Sequence, residues 1–435
     1  MSRRAEQQVS ACAGEGGSTV GFAHNPASYT QNSTKPASFE QPTSTPAPLR
    51  IFISTGEVSG DLQGAMLIKA LKRLANSSNL ELEIVALGGS RMSEAGATIL
   101  GNTTSIGSIG LLESLAYIWP TLQIQEQAKK YLQQYPPDLV VLIDYAGPNL
   151  VISNYVRQVA PQTPIVYFIA PQEWVWSVSP KNTARIVSVT DLLLAIFPEE
   201  ARYFQKNGAK VTWVGHPIVD RIQTFPNREI ARAALGIETE QIAVALIPAS
   251  RRQELKYLLP TMFEAAKIIQ TKVPQVYFWI PLALEAYRQP IEQAIKSYGI
   301  HATLVADKTQ EVLAAADLAI TKSGTVNLEL ALLDVPQVVI YRVNSLTAWI
   351  ALNVLKFSIP FMSPTNLVEM KSIVPELLQE QANPENIVRE VMSLLDPIKR
   401  KQTLADYHSM RQSLGEVGAC DRAAKEIIAI LNRQL

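Results

Sequence analysis

The sequence has little of what metal sites and disulfide frameworks need. It contains two cysteines, Cys12 and Cys420, and neither belongs to a CxxC or Cys/His cluster. A zinc site or a disulfide scaffold is therefore not expected. The four histidines, His24, His216, His301 and His408, show no metal-ligand spacing, so no protein-built transition-metal site is expected. An excess of one charge is also missing: 39 basic side chains balance 39 acidic ones. Nucleic-acid binding over a broad surface needs a basic excess or stripe, so no nucleic-acid partner is expected. No apolar run approaches the ~18 residues of a membrane-spanning helix. The strongest runs, Leu139–Ile143 and Leu192–Phe197, read as buried parallel strands. Arg3 and Arg4 are not followed by an apolar segment, which excludes the pattern of a secretory signal.

What is present is a long chain with enough apolar material for a large core. Its 435 residues are 47% hydrophobic, and at ~150 residues per domain the length suggests two or three domains. Residues 1–49 stand apart, with seven Ser, five Thr and five Pro. Such a composition cannot offset its own ordering entropy, and it reads as a disordered tail. A transit peptide is the alternative, although Glu6, Glu15 and Glu40 fit that poorly.

From Leu49 onward, short apolar strands alternate with amphipathic helices. The strand at Leu49–Ile53 is followed by Ser54-Thr55-Gly56-Glu57-Val58-Ser59-Gly60-Asp61 and then a helix. Further strands are predicted at Leu139–Ile143, Ile165–Ile169, Leu192–Phe197 and Lys210–Val214. The pattern then restarts at Ile242–Ile247, with Val276–Ile280, Ala302–Val305, Leu318–Ile320 and Gln337–Tyr341 after it. Alternation of this kind predicts parallel βαβ units. The fold expected is α/β: two Rossmann-like domains facing a central cleft, over 50–213 and 214–395 and hinged near Gly215–Asp220. A helical segment, 396–435, is expected to return to the first domain.

Several residues could carry chemistry, and each also has a plainer reading. Ser323-Gly324-Thr325 follows a strand and opens a helix, where backbone N–H groups favour a phosphate; an ordinary helix cap explains it too. Glu329 lies one helical turn further on and could accept from ribose hydroxyls, or be a solvated helix residue. Ser250-Arg251 with Glu254 could grip a diphosphate through the arginine fork, or simply start a charged helix. Asp144 ends a buried strand and could be a general base, or cap the next helix. Glu57, Ser59, Gly60 and Asp61 crowd a turn that is not GxGxxG and suits sugar hydroxyls better than a pyrophosphate. Trp174 and Trp176 could touch a ligand or a lipid interface, or pack under a loop. The segment containing Leu111, Leu112, Leu115, Ile118, Trp119 and Leu122 could be a core helix or one that dips into a bilayer surface.

The motifs taken in order resemble the lipid-A-disaccharide synthase family over about residues 50–433. The resemblance rests on Thr55-Gly56-Glu57-Val58-Ser59-Gly60-Asp61-Leu62-Gln63-Gly64, Gly88-Gly89-Ser90-Arg91-Met92, Gly110-Leu111-Leu112-Glu113 and Ile143-Asp144 with Asn149. It continues through Pro171 with Trp174 and Trp176, Val214-Gly215-His216-Pro217, Pro248 with Ser250-Arg251 and Glu254, and Ser323-Gly324-Thr325 with Glu329. Tyr341-Arg342, then Asn366 before Val374-Pro375-Glu376-Leu377-Leu378-Gln379, complete it.

The resemblance implies an inverting glycosyltransferase of the GT-B fold. Its substrates would be UDP-2,3-diacylglucosamine and 2,3-diacylglucosamine 1-phosphate, and its products a β-1,6-linked disaccharide and UDP. It implies no cofactor and no obligatory metal. Asp144 would be the base and Arg251 would neutralise the leaving diphosphate. Glu329 would hold the ribose, while Ser250, Glu254, Ser323, Gly324, Thr325 and Asn366 would line the nucleotide site. Glu57, Ser59, Gly60 and Asp61 would shape the acceptor side. Leu111, Leu112, Leu115, Ile118 and Trp119 would lie at the membrane. The protein would sit on the cytoplasmic face of the inner membrane, or in an organelle if the tail is a transit peptide; a homodimer is compatible with this. Alternatives are a related transferase with another lipid acceptor, a UDP-sugar epimerase, or a protein that binds UDP without turnover.

Overall fold

The computed structural model describes residues 47–104, 118–177, 179–249, 252–350, 353 and 358–433. Seven strands come first: β1 Leu49–Ser54, β2 Leu82–Gly88, β3 Thr98–Asn102, β4 Leu139–Ile143, β5 Ile165–Phe168, β6 Leu192–Ala195 and β7 Val211–Trp213. Six follow: β8 Ile242–Ile247, β9 Val276–Pro281, β10 Ala302–Val305, β11 Leu318–Lys322, β12 Gln337–Tyr341 and β13 Glu376–Leu378. Among the described residues they form two parallel sheets, ordered β3-β2-β1-β4-β5-β6-β7 and β10-β9-β8-β11-β12-β13. The chain thus adopts the expected α/β architecture of two Rossmann-like sheets. In each sheet the order reverses between the first and fourth strands, β1 and β4 in one, β8 and β11 in the other. A crevice opens beyond the carboxyl ends of the strands at such a reversal.

The apolar strands are what make this layering possible. Every residue of β4 is buried. Leu139, Val141 and Ile143 join one core cluster, while Val140 and Leu142 join another. Strand β8 divides the same way: Val244 and Leu246 face one core, Ala243, Ala245 and Ile247 the other. Successive side chains point to opposite faces of a strand, so a continuous apolar run can be covered by helices on both sides.

Three predicted strands end earlier than their apolar runs. Strand β5 stops at Phe168 because Ile169 takes a φ of 64°, a left-handed conformation costly for a β-branched residue. Strand β6 stops at Ala195 because the Ile196 and Phe197 N–H groups turn to the Glu200 carboxylate. Strand β7 covers only Val211–Trp213.

The last helix, Ala419–Leu431, packs its Ala423, Ala424 and Ile427 into the core that contains Leu67 and Leu71 of the Val58–Ser77 helix. Asp421 pairs with Arg73. The Asp220 carboxylate accepts from the Ala419 and Cys420 N–H groups at 3.2 and 3.0 Å, and Arg422 donates to the Val214 carbonyl at 2.8 Å. The segment after β7 is thereby tied to the chain's final helix. No helix among the described residues is long and apolar enough to cross a membrane.

Candidate active site

The loops at the two sheet reversals carry most of the residues singled out from the sequence. The turn after β1 is close-packed. A Cβ on Gly56 would fall 1.8 Å from the Tyr145 ring, and one on Gly60 would fall 1.8 Å from the Thr55 hydroxyl. Glycine at 56 lets this turn lie against the loop after β4. Asp61 lies behind the turn, 3% exposed. Its carboxylate accepts from the N–H groups of Gly89 at 2.7 Å and of Arg91 and Met92 at 3.2 Å. It caps the short helix Ser90–Glu94 and holds the two Gly-rich motifs together, rather than presenting a free carboxylate to a sugar. Glu57 and Ser59 remain at the mouth of the turn, with Glu57 close enough to influence Asp144.

Asp144 follows β4 with a φ of 47°, and Tyr145 follows with 51°. Two successive left-handed residues need outside support. Asp144 N–H donates to the Ile169 carbonyl at 2.8 Å. Its own carbonyl accepts from Asn149 Nδ2 at 2.6 Å and the Tyr167 hydroxyl at 2.8 Å. Asn149 also donates to the Ile143 carbonyl at 3.1 Å and accepts from Ser54 Oγ at 2.7 Å. Burial, and then the nearby negative charge of Glu57, push the Asp144 carboxyl up to about 7. A carboxylate poised near neutrality is suited to general-base work.

Beside it lies Glu200, which the sequence reading missed. Its carboxylate accepts from the N–H groups of Ala170 and Ile196 at 2.8 Å and Phe197 at 3.2 Å. Burial pushes it up to about 7 despite these bonds. Glu200 thus binds together the loops that leave β5 and β6. The only sequence signal was its place three residues into a helix that opens on Pro198.

On the second sheet, Ser323-Gly324-Thr325 links β11 to the helix Val326–Leu332. Ser323 Oγ donates to the Met362 carbonyl at 2.7 Å. Gly324 N–H donates to Asn327 Oδ1 at 2.8 Å, and Asn327 Nδ2 bonds the Lys322 carbonyl at 3.1 Å and Gln337 Oε1 at 3.0 Å. Lys322 forms an ion pair with Glu254 at 3.7 Å. Glu329 is 4% exposed and is paired with Arg221 from the segment after β7, a cation that no sequence motif marked.

Asn366 presents no free group. It is 1% exposed; its Oδ1 accepts from Ile373 and Val374 N–H at 2.7 and 2.8 Å, and its Nδ2 donates to the Val374 carbonyl at 3.0 Å and Glu376 Oε1 at 2.6 Å. Glu376 in turn accepts from Met362 and Ser363 N–H at 2.8 Å. Asn366 therefore braces the loop that meets Ser323 from behind. Ser250 and Arg251, and Leu111, Leu112 and Leu115, lie outside the described residues. Ile118 and Trp119 are exposed, at 50% and 71%.

The two sheets meet across a cavity of about 60 Å³. Ile169, Trp174, Phe197 and His216 line it from the first sheet's side, Thr325 and Leu328 from the second's. Trp174 packs on Phe197 with ring centres 5.5 Å apart, and Phe197 packs on His216 at 5.1 Å. Trp174 takes the packing role, against Phe197, at the wall of this cavity.

The model of the family described as lipid-A-disaccharide synthetase matches residues 51–430. A lipid-A-disaccharide synthase from Gloeothece citriformis (strain PCC 7424) is 60% identical over 381 residues, covering 87% of this chain and 99% of that protein. One from Synechocystis sp. (strain ATCC 27184 / PCC 6803 / Kazusa) is 54% identical over 389 residues, covering 89% and 99%. Among solved structures, the UDP-GlcNAc 2-epimerase of Methanocaldococcus jannaschii in complex with UDP-GlcNAc and UDP matches 88% of this chain and 100% of its own, with a TM-score of 0.55 at 16% identity. At that identity the likeness is one of fold.

Proposed function

We propose a mechanism from one premise: the chain belongs to the lipid-A-disaccharide synthase family and is a glycosyltransferase. In this reading it transfers 2,3-diacylglucosamine from UDP-2,3-diacylglucosamine to 2,3-diacylglucosamine 1-phosphate. The observation that carries the assignment of roles is Asp144, a strained, braced carboxyl at the first sheet's reversal whose affinity for a proton is raised to near neutrality.

Asp144 takes the proton from the acceptor's 6-hydroxyl as its oxygen attacks the anomeric carbon. The bond from that carbon to the UDP oxygen breaks on the opposite side, which inverts the configuration and gives a β link. One base and a stabilised leaving group suffice, with no covalent enzyme intermediate and no obligatory metal. Arg251 neutralises the diphosphate, and the Ser323–Thr325 loop and Glu254 complete the nucleotide side with Ser250. Glu329, oriented by its ion pair with Arg221, accepts from the ribose hydroxyls. Asp61 and Asn366 act by holding loops in place. Gly60 lets the first turn pack, leaving Glu57 and Ser59 to face the acceptor.

Acyl chains require an apolar landing surface. Ile118, Trp119 and Leu122, at 50%, 71% and 51% exposure, support docking on the cytoplasmic face of the inner membrane, where an exposed Trp suits the lipid–water boundary.

The test combines both acylated substrates with the protein and analyses the products by mass spectrometry. A disaccharide phosphate plus UDP is expected; conversion of the donor alone would favour epimerisation. Asp144→Asn should lower transfer by roughly 10²–10⁴ while UDP binding stays nearly intact. Unchanged turnover in that variant would remove Asp144 from the mechanism.

A further inference from the structure

Two of the polar side chains that line the cavity between the sheets, His216 and Gln63, have no role in the mechanism above. His216 is 2% exposed, and its Nδ1 accepts the Ile218 backbone N–H at 3.0 Å. A neutral imidazole that accepts through Nδ1 carries its hydrogen on Nε2. Burial pushes the ring's pKa down to about 3, so it stays neutral. Nε2 has no hydrogen-bond partner among the described residues, and the ring lines the cavity. Its orientation is set by Phe197 at 5.1 Å and by the His216 N–H, which donates to the Leu414 carbonyl at 2.9 Å.

Gln63, on the Val58–Ser77 helix, lines the same cavity. Its Oε1 is buried without a hydrogen-bond partner among the described residues. Buried polar groups are almost always paired. A fixed donor and an unpaired acceptor on two residues that line one space call for a ligand group that both accepts and donates. A sugar hydroxyl does both. An acyl chain does neither. Thr325 and Leu328, from the nucleotide side, line the same space, so the sugar that reaches it is the one attached to the nucleotide.

We propose that His216 and Gln63 bind the free hydroxyl edge of the transferred glucosamine, its unacylated 4- and 6-positions, and thereby select the donor sugar. This rests on the transfer reading above.

The test measures kcat/KM for UDP-diacylglucosamine and its 4-deoxy and 6-deoxy analogues with the wild type, His216→Asn, His216→Gln and Gln63→Leu. Asn keeps an acceptor near Nδ1 for the Ile218 N–H and drops the Nε2 donor; Gln restores an N–H near Nε2. His216→Asn should lose about tenfold on the normal donor. In the wild type, one deoxy donor should be about tenfold worse than the normal donor, and this penalty should fall to about onefold in His216→Asn or Gln63→Leu. His216→Gln should recover part of the discrimination. A deoxy penalty left undiminished in both His216→Asn and Gln63→Leu overturns the proposal. Coupling to a 4-deoxy acceptor instead of the donor overturns the assignment to the transferred sugar. Should His216→Asn not fold, Gln63→Leu alone decides. Should the wild type make no disaccharide, the transfer reading fails by itself. Calorimetric binding of the normal and deoxy UDP-sugars then still tests the pair, because equal affinities in wild type and Gln63→Leu would reject it.

Discussion

The two halves of the cleft share a strand order, and each contains a fully buried asparagine that braces a loop, yet the two loops are held for different purposes. Asn149, behind the first sheet, bonds the carbonyls of Ile143 and Asp144 and so holds two left-handed residues in place. Asn366, behind the second, ties Ile373, Val374 and Glu376 into a network that continues through Met362 to Ser323. Around Asn149, burial raises the proton affinity of Asp144 and Glu200 to near neutrality. Around Asn366, the Glu376 carboxylate, the Asn366 amide and the Met362, Ser363, Ile373 and Val374 N–H groups are paired with one another. The first half stores strain next to a reactive carboxyl, and the second offers a rigid platform of backbone groups. The proposed mechanism uses both: a tuned base facing the acceptor, and fixed donors under the nucleotide, which cost no reorganisation during the reaction.

Three substitutions would sharpen or break this contrast. The largest effect is expected from Asn366→Leu. It strands the Ile373 and Val374 N–H groups and one Glu376 bond, and should destabilise the fold by about 3 kcal/mol or more. UDP affinity should weaken while the pH dependence of turnover is unchanged; denaturant unfolding and calorimetry measure the two. A shifted pH profile would show that the halves are not separable in this way.

Asn149→Leu should cost about 1–3 kcal/mol. Its signature is different: kcat should fall roughly tenfold, as for a displaced catalytic group, with UDP affinity retained. Loss of UDP binding with normal kcat would reverse the comparison.

Glu57→Gln is expected to be the mildest. Burial is the main cause of the raised Asp144 pKa and Glu57 the second. Asp144 must lose its proton to act, so activity should rise as pH passes through about 7. Removing the Glu57 charge should move that acidic limb downward by up to about one unit. An unmoved or upward-moving limb in the pH–rate profile would contradict the pairing.

The same pKa makes a statement about stability. Between the ordinary carboxyl range and about 7, the folded protein holds a proton on Asp144 that the unfolded chain has released. Stability from this group is therefore lost as pH rises through that window. Asp144→Asn, expected to be inactive, should melt at a higher temperature than the wild type at pH 8.

Much of the fold was legible because its information is local. A continuous apolar run such as Leu139–Ile143 can be satisfied only when both faces are covered, and Asp144 at its end must then lie at a sheet edge. The ends of β5 and β6 were misread for a physical reason. Ile169 and Phe197 are apolar and extend the runs, but a left-handed φ at Ile169 and the Glu200 carboxylate at Phe197 terminate the strands. Asp61 looked like a sugar ligand because its turn is crowded with polar groups. Its partners, Gly89, Arg91 and Met92, come close only after β2 pairs with β1.

The sequence by itself determined the alternation of strands and helices, the two sheets and the identity of the loops at their reversals, because periodicity and turn chemistry act over a few residues. Tertiary structure alone decided which of those loop residues are free to act. Asp61 and Asn366 are occupied by backbone groups, Glu329 is oriented by its pairing with Arg221, and the Asp144 carboxyl is tuned by burial and by Glu57. Burial and hydrogen-bond pairing depend on neighbours tens to hundreds of residues away, and no local pattern encodes them.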